Sequence, residues 1–275
     1  MLKFSWLTWL LILSVALKAL SHFLPVNTVL SHALSGMIAD ILLLRVIIMV
    51  VTTVKKYRIL AQEQPEQDFM ERIPAALQGV ISVDKAREML SSEIAVVYYM
   101  LTGTKSPQDK YSFSYHKFGG IISVYIVFIF LLFIEGAATT ILLHKLSLPI
   151  VERILLVLSV YSIIFLIAHI RAMQLRPVTV HEDTLVLRYG LLTTITIPVS
   201  NILKIETDKK SYNKRPEAVK LALLSALEQH NMKLELVAPI ELKLLFKKKT
   251  GIRIIYFRVD VQEQFCVMIQ EIKNS

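Results

Sequence analysis

Hydrophobic residues are laid out along this chain in two ways. As far as about residue 172 they form four nearly unbroken stretches, at 4–23, 37–54, 119–143 and 154–170. Each is close to the ~20 apolar residues needed to cross the hydrocarbon layer of a bilayer. From Val178 the pattern changes to short runs with a period of two, VTVHEDTLVLRYGLLTTITIPVSNILKIE, separated by turn residues. Such alternation predicts strands with one buried face. The chain therefore reads as a helical membrane part followed by a β module.

The side of the membrane follows from the loops. Residues 24–36 contain no Lys or Arg, and the turn at 144–150 contains only Lys145. The opposite side carries Lys55, Lys56, Arg58, Lys110, Lys117, Arg171 and Arg176. Basic loops stay in the cytoplasm, which places both termini and the β module there. Lys3 ahead of the first apolar stretch is also the form of a signal peptide, whose removal would leave the rest of this topology unchanged. Lys18 late in the stretch, and no small-x-small cleavage site after it, favour a retained span.

Charges at bilayer depth need partners. Counting ~1.5 Å per residue from the outer ends, Arg45 and Glu135 both lie about 12 Å down. Lys18 and Asp40 lie within about 8 Å of the outer surface by the same count. Two interhelical ion pairs are expected, Arg45 with Glu135 and Lys18 with Asp40, fixing helix register rather than forming a transport path.

Between the hairpins, residues 68–79 predict a short helix interrupted by Pro74, and 82–101 a longer one capped by Ser82 with Asp84 in its first turn. Its second half, IAVVYYML, is apolar all round and too short to span. It is expected to pack under the bundle or lie in the interface with Tyr98 and Tyr99 as anchors. TGTKSPQDK reads as a loop, and FSYHK as the interfacial entry to the third span, where Gly119 and Gly120 mark the helix start.

In the β module, strands are expected at 178–182, 185–189, 192–198, 203–207, 233–237, 240–246 and 253–259. Leu185, Leu187 and Tyr189 share one face, as do Ile195 with Ile197 and Leu234 with Leu236. Thr194, Thr196, Lys233, Glu235, Glu241 and Lys243 fall opposite them, as a half-buried antiparallel sheet requires. Gly190 and KKKTG at 247–251 mark turns. An amphipathic helix at 261–273 closes the chain, burying Phe265, Met268, Ile269 and Ile272.

Seven strands and a closing helix resemble the pleckstrin-homology (PH) architecture. LRYGLLTTITIPVSNILKIE resembles the bacterial PH-type repeat, in which a strand–Gly–strand hairpin leads into an Ile-Pro-x-x-x-Ile turn. EIAVVYYML, FSYHK, Glu135, His144 and Val259-Asp260 together are similar to a group of uncharacterised bacterial multi-pass membrane proteins with a PH-like tail. The resemblance covers most of residues 68–275. Some members of that group carry a beta-carotene monooxygenase label, which implies an oxygenase as the alternative activity.

Composition narrows the chemistry further. One cysteine, Cys266, excludes an internal disulfide and a Cys-rich zinc site. No phosphate loop, nucleophile elbow or HExxH motif is present. Of the seven histidines, His22, His32 and His144 fall near the outer face and are the candidate ligands for iron in the oxygenase reading. None shares a helix face with another at ligand spacing, and the leading expectation is no catalytic residue and no cofactor. The net charge is +9, and residues 171–275 hold 17 Lys/Arg against 11 Asp/Glu. Lys209, Lys210, Lys214 and Arg215 in one loop, with Lys247, Lys248 and Lys249 at a hairpin tip, are candidates for anionic lipid headgroups. They are too few, and lack the interleaved aromatics, for nucleic acid.

These readings converge on a membrane α-helical protein with four transmembrane helices and a cytosolic all-β, PH-like domain with a C-terminal helix. The expected units are a first transmembrane hairpin at 1–58, a cytosolic helical and interfacial segment at 59–118, a second hairpin at 119–172 and the β domain at 175–275. Its expected role is that of a non-enzymatic scaffold at the cytoplasmic membrane. Expected partners are membrane lipids, anionic headgroups among them, and membrane or cytosolic proteins. A membrane-embedded metal-dependent oxygenase is the alternative.

Overall fold

The computed structural model describes residues 28–103, 111–181, 183–208, 212, 214–244 and 247–274, the side chains of 28–39, 42, 247 and 274 excepted. Among these residues are six α-helices and eight strands. The chain divides into two compact units, 1–93 and 94–275.

In the first unit, helix α1 (Thr28–Glu63) contains the predicted 37–54 stretch. Its 36 residues reach about 54 Å, well beyond a ~30 Å hydrocarbon core. Helix thus replaces the loop expected at 28–36 and continues past Val54. Most of its described apolar side chains from Ile41 to Val54 are exposed, Leu43, Leu44 and Val50 each by more than half. Helix α2 (Phe69–Leu77) opens with a capping box in which Glu71 N–H donates to Asp68 Oδ1 at 2.9 Å. The Asp68 N–H answers to Glu71 Oε2 at 3.0 Å. Pro74 stands inside this helix without ending it, and its missing N–H removes the intrahelical bond to the Met70 carbonyl. Tyr57 against Phe69, and Lys56 Nζ donating to the Gln78 carbonyl at 2.6 Å, hold α2 to α1. Helix α3 (Asp84–Leu101) begins two residues after Ser82 and runs across the boundary between the units.

In the second unit, helices α4 (Ile121–Lys145) and α5 (Pro149–Leu175) form an antiparallel hairpin, with Gly120 at the N-cap of α4 and Pro149 in the first turn of α5. Both are long and apolar enough to cross a membrane. Only 17% and 6% of their most apolar windows are buried, whereas the core helix of a soluble domain is mostly buried. A Cβ added at Gly136 would stand 3.4 Å from that of Ser159, so the two helices meet closely there.

The β module begins earlier than the alternation suggests. Strand β1 (Ser112–Phe113) precedes the hairpin and pairs with β2 (Val178–Val180), which follows it. Strands β3 (Thr184–Tyr189) and β4 (Thr193–Pro198) complete an antiparallel sheet in the order β1-β2-β3-β4. The second sheet has β5 (Ile202–Thr207), β6 (Ala218–Lys220), β7 (Met232–Leu244) and β8 (Lys247–Phe257) in the order β5-β7-β8-β6. It is mixed rather than antiparallel, since β6 pairs parallel to β8. Helix α6 (Gln262–Asn274) closes the chain. Phe265 and Ile269 are buried in it, while Met268, Ile272 and Cys266 pack partly against the core.

Three expectations are corrected here. The aromatic part of FSYHK is not at headgroup level: Phe113 meets Phe265 edge-on at 5.1 Å, and Tyr115 stacks on Tyr189 at 5.5 Å, both in the core, which leaves Lys117 exposed. The strands expected at 233–237 and 240–246 are one strand through Leu244, whose register against β8 shifts between Glu235 and Ile240, where the Asn201 amide exchanges two hydrogen bonds with Ala238. KKKTG is strand as well, since the β7–β8 register closes with Leu244 opposite Lys247.

Candidate functional site

The last turns of α5 change character. The helix is exposed from Ile150 to Tyr161, yet Leu166, His169, Ala172, Met173 and Arg176 are buried. Their 3–4 residue spacing marks one face, and that face is covered by the β module. The α5·β3 contact puts the hairpin end beside the turn at Gly190.

That turn is gripped through its backbone. The Gly190 N–H donates to the Tyr115 hydroxyl at 2.8 Å, and the Gly190 carbonyl accepts from Arg176 Nη1. The Leu191 N–H donates to His169 Nδ1 at 3.2 Å. Arg176 Nη2 also donates to Thr194 Oγ1 on β4. Because Nδ1 accepts, the neutral His169 ring carries its proton on Nε2. That nitrogen has no hydrogen-bond partner among the described residues, and the ring is enclosed by Tyr125 at 5.3 Å, Tyr189 at 5.8 Å and Phe165 at 6.2 Å. Gly190 has a φ of +44°, and a Cβ there would meet His169 Cε1 at 2.4 Å. Both backbone sign and space demand glycine.

Next to this grip is a buried carboxylate. Glu228, in the segment between β6 and β7, accepts from the Tyr125 hydroxyl at 2.6 Å, from the Tyr189 hydroxyl and from the Leu224 N–H at 2.6 Å. Tyr125 lies in the first turns of α4 and Tyr189 ends β3, so one side chain joins hairpin, sheet and loop. Burial raises the Glu228 carboxyl above its usual range, and these hydrogen bonds pull the other way without reversing it. Lys220 Nζ donates to the Glu228 carbonyl and to Ser225 O at 2.9 Å, and its own burial lowers its affinity for the proton.

A second clamp is made by Asp260. Its carboxylate accepts the N–H groups of Lys117 at 3.0 Å and Phe118 at 3.2 Å, just before α4. The Asp260 N–H returns to Ser114 O at 2.8 Å, and Asn231 exchanges two hydrogen bonds with the backbone of Val259. Val259-Asp260 therefore holds the start of the hairpin to the end of β8.

The residues singled out from sequence are distributed elsewhere. Lys18, His22, Lys209 and Lys210 lie outside the described residues. Asp40 is exposed and Arg45 half-buried on α1, whereas Glu135 is exposed on α4. Arg45 and Glu135 belong to different units. His32 is in α1, its side chain undescribed. His144, at the end of α4, is exposed with Nδ1 3.7 Å from Glu152 Oε2. Among the described residues no three His, Cys, Asp or Glu groups are placed to hold a metal.

Lys214 and Arg215 lead into β6 along the edge of β8, where the Glu217 carbonyl accepts the N–H groups of Arg253 and Ile254. Lys248 and Lys249 are in β8 itself, a few residues back from exposed Arg253. The described basic candidates therefore lie on β8 or in the segment that leads into its neighbour β6, Lys248 sharing its charge with Glu241 at 3.3 Å. Lys247 starts β8 with its side chain undescribed. Sequence reasoning missed Tyr125, Arg176 and Glu228 as a group. Their one signal was polar character inside apolar surroundings, and nothing local says that residues 125, 189 and 228 meet.

Comparison with protein families, characterised proteins and solved structures finds no match to this chain.

Proposed function

We propose that this is a multi-pass membrane protein whose PH-like β module works as a non-enzymatic scaffold at the membrane surface. The observation that carries the reading is the insertion of the apolar α4–α5 hairpin between β1 and β2, two strands of one sheet. A module built across both ends of a membrane hairpin is held at the bilayer as one body with it. The resemblance to PH-type repeats supports binding as its activity, by fold-level analogy.

In this proposal four helices span, both termini are cytosolic, and Arg45–Glu135 and Lys18–Asp40 pair within the bilayer. The basic residues Lys214, Arg215, Lys248, Lys249 and Arg253 face anionic headgroups or a protein partner. The test is photo-crosslinking in intact cells from a probe amino acid at Lys214, Lys249 or Arg253. A scaffold gives discrete protein adducts from these positions and none from a probe at buried Val259. Metal analysis of the purified chain supplies the opposing result: stoichiometric iron lost on His144→Ala would replace the scaffold by the oxygenase.

A further inference from the structure

The end of the hairpin that carries the β module has an apolar surface outside the two long helices. Within the second unit, the last turns of α3 bury Ala95, Val96 and Tyr99 but expose Val97 by 56%, Tyr98 by 37% and Leu101 by 76%. Tyr99 is therefore packed inward, and only Tyr98 of the two tyrosines is placed to meet a lipid surface. Arg171 fixes the level of this surface: its Nη1 donates to the carbonyls of Met100 and Thr102, both at 2.8 Å. Arg171 stands at the last turn of α5, where the apolar run of that helix has ended. At the same end of the hairpin, Phe118 is 75% exposed three residues before α4 begins, beside exposed Lys117.

We propose that Val97, Tyr98, Leu101 and Phe118 form a collar that enters the headgroup–acyl boundary of the lipid bilayer. Two observations point to lipid. The collar continues the exposed apolar belt of α4, which resumes at Ile126 and Val127. Its composition, apolar groups with a tyrosine and flanking Lys117 and Arg171, is that of a membrane–water interface, where aromatic rings settle and long basic side chains reach the headgroups. Partial insertion of a helix face at that depth needs no span of its own. The collar would fix the tilt of the β module against the bilayer and so the direction its basic residues face.

The inference rests on the hairpin spanning the membrane, and the experiment separates the two. The full chain carrying Cys266→Ser receives one cysteine at position 97, 101 or 118, labelled with an environment-sensitive fluorophore and reconstituted into vesicles of neutral and anionic phospholipid. Ile126→Cys reports the span and Lys248→Cys reports water. Each variant is used only if it elutes from detergent like the parent. The collar labels are expected to emit to the blue of the Lys248→Cys label and to be quenched roughly twofold by lipid bearing a nitroxide near the headgroup, less by one near the chain end. Collar labels that behave like Lys248→Cys, while Ile126→Cys is quenched, overturn the collar alone. An unquenched Ile126→Cys label overturns the span and the collar with it. Blue-shifted collar labels that no lipid quencher reaches mean a protein partner covers this face, and also overturn it.

Discussion

The Tyr125 hydroxyl donates to Glu228 at 2.6 Å across 103 residues of sequence, joining the first turns of a membrane-length helix to a loop of the β module. Tyr125→Phe keeps the ring against His169 and removes only this bond. Leaving a buried carboxylate short of one donor costs about 1–3 kcal/mol. The variant is expected to melt earlier in detergent, with limited proteolysis cutting first between β6 and β7, the segment Glu228 anchors. An unchanged melting profile and cleavage pattern would mean that the bond carries no weight in holding module to hairpin.

Gly190→Ala is expected to cost more than an ordinary turn substitution. An L residue at positive φ costs about 1–2 kcal/mol by itself. The added methyl also meets the His169 ring at 2.4 Å, where Leu191 and Arg176 already fix the neighbours. Gly190→Ala combined with His169→Ala relieves the contact while leaving the φ cost. Comparison of the Gly190→Ala loss in the parent with its loss in a His169→Ala background therefore divides the two costs, and the loss is expected to be smaller in that background.

Asp260→Ala removes the acceptor of two backbone N–H groups at the start of α4. Hydrogen bonds to a charged group contribute about 1.5–3 kcal/mol each, less here because the site is partly solvated. Hydrogen exchange is the direct measurement: the amides of Lys117 and Phe118 should exchange faster in the variant, those of β3 hardly at all. Asp260→Asn, which keeps one acceptor oxygen, is expected to fall between.

Long-range meeting points separate what could be read in sequence from what could not. Helices α4 and α5 and the closing helix were legible because periodicity and apolar length are local properties of the chain. Gly190 was legible as a turn for the same reason. Strand β1 was hidden because Ser112 and Phe113 pair with residues on the far side of a hairpin, and two residues show no alternation. Strand β6 is nearly as short, and it pairs with residues 36 positions further along the chain. The polar cluster was hidden more completely. His169 looked like any interfacial histidine, Tyr189 like a core residue and Glu228 like a loop charge. Their role exists only once the hairpin end is folded onto the β3–β4 turn.

The buried Glu228 carboxyl also sets a sign for pH dependence. Its affinity for the proton is raised by folding, so the native state binds that proton more readily than the unfolded chain does. Its favourable contribution is complete below the unfolded carboxyl value of 4.5 and is lost as pH rises through the higher folded value. Above that window the charged, buried form remains as a constant cost. His230, nearby and also buried, acts with the opposite sense: burial, reinforced by Lys220, lowers its folded value below 6.5. It therefore removes stability as pH falls beneath 6.5. The raw melting curve mixes both groups, but the difference between the parent and Glu228→Gln isolates the carboxyl, since His230 is common to the two. Gln keeps an acceptor for Tyr125 and cannot ionise. The parent-minus-variant melting temperature is expected to fall with rising pH above 4.5 and then level off, leaving Glu228→Gln the more stable near neutrality. A difference that rises with pH would mean that the hydrogen bonds from Tyr125, Tyr189 and Leu224 outweigh burial and hold the carboxylate charged.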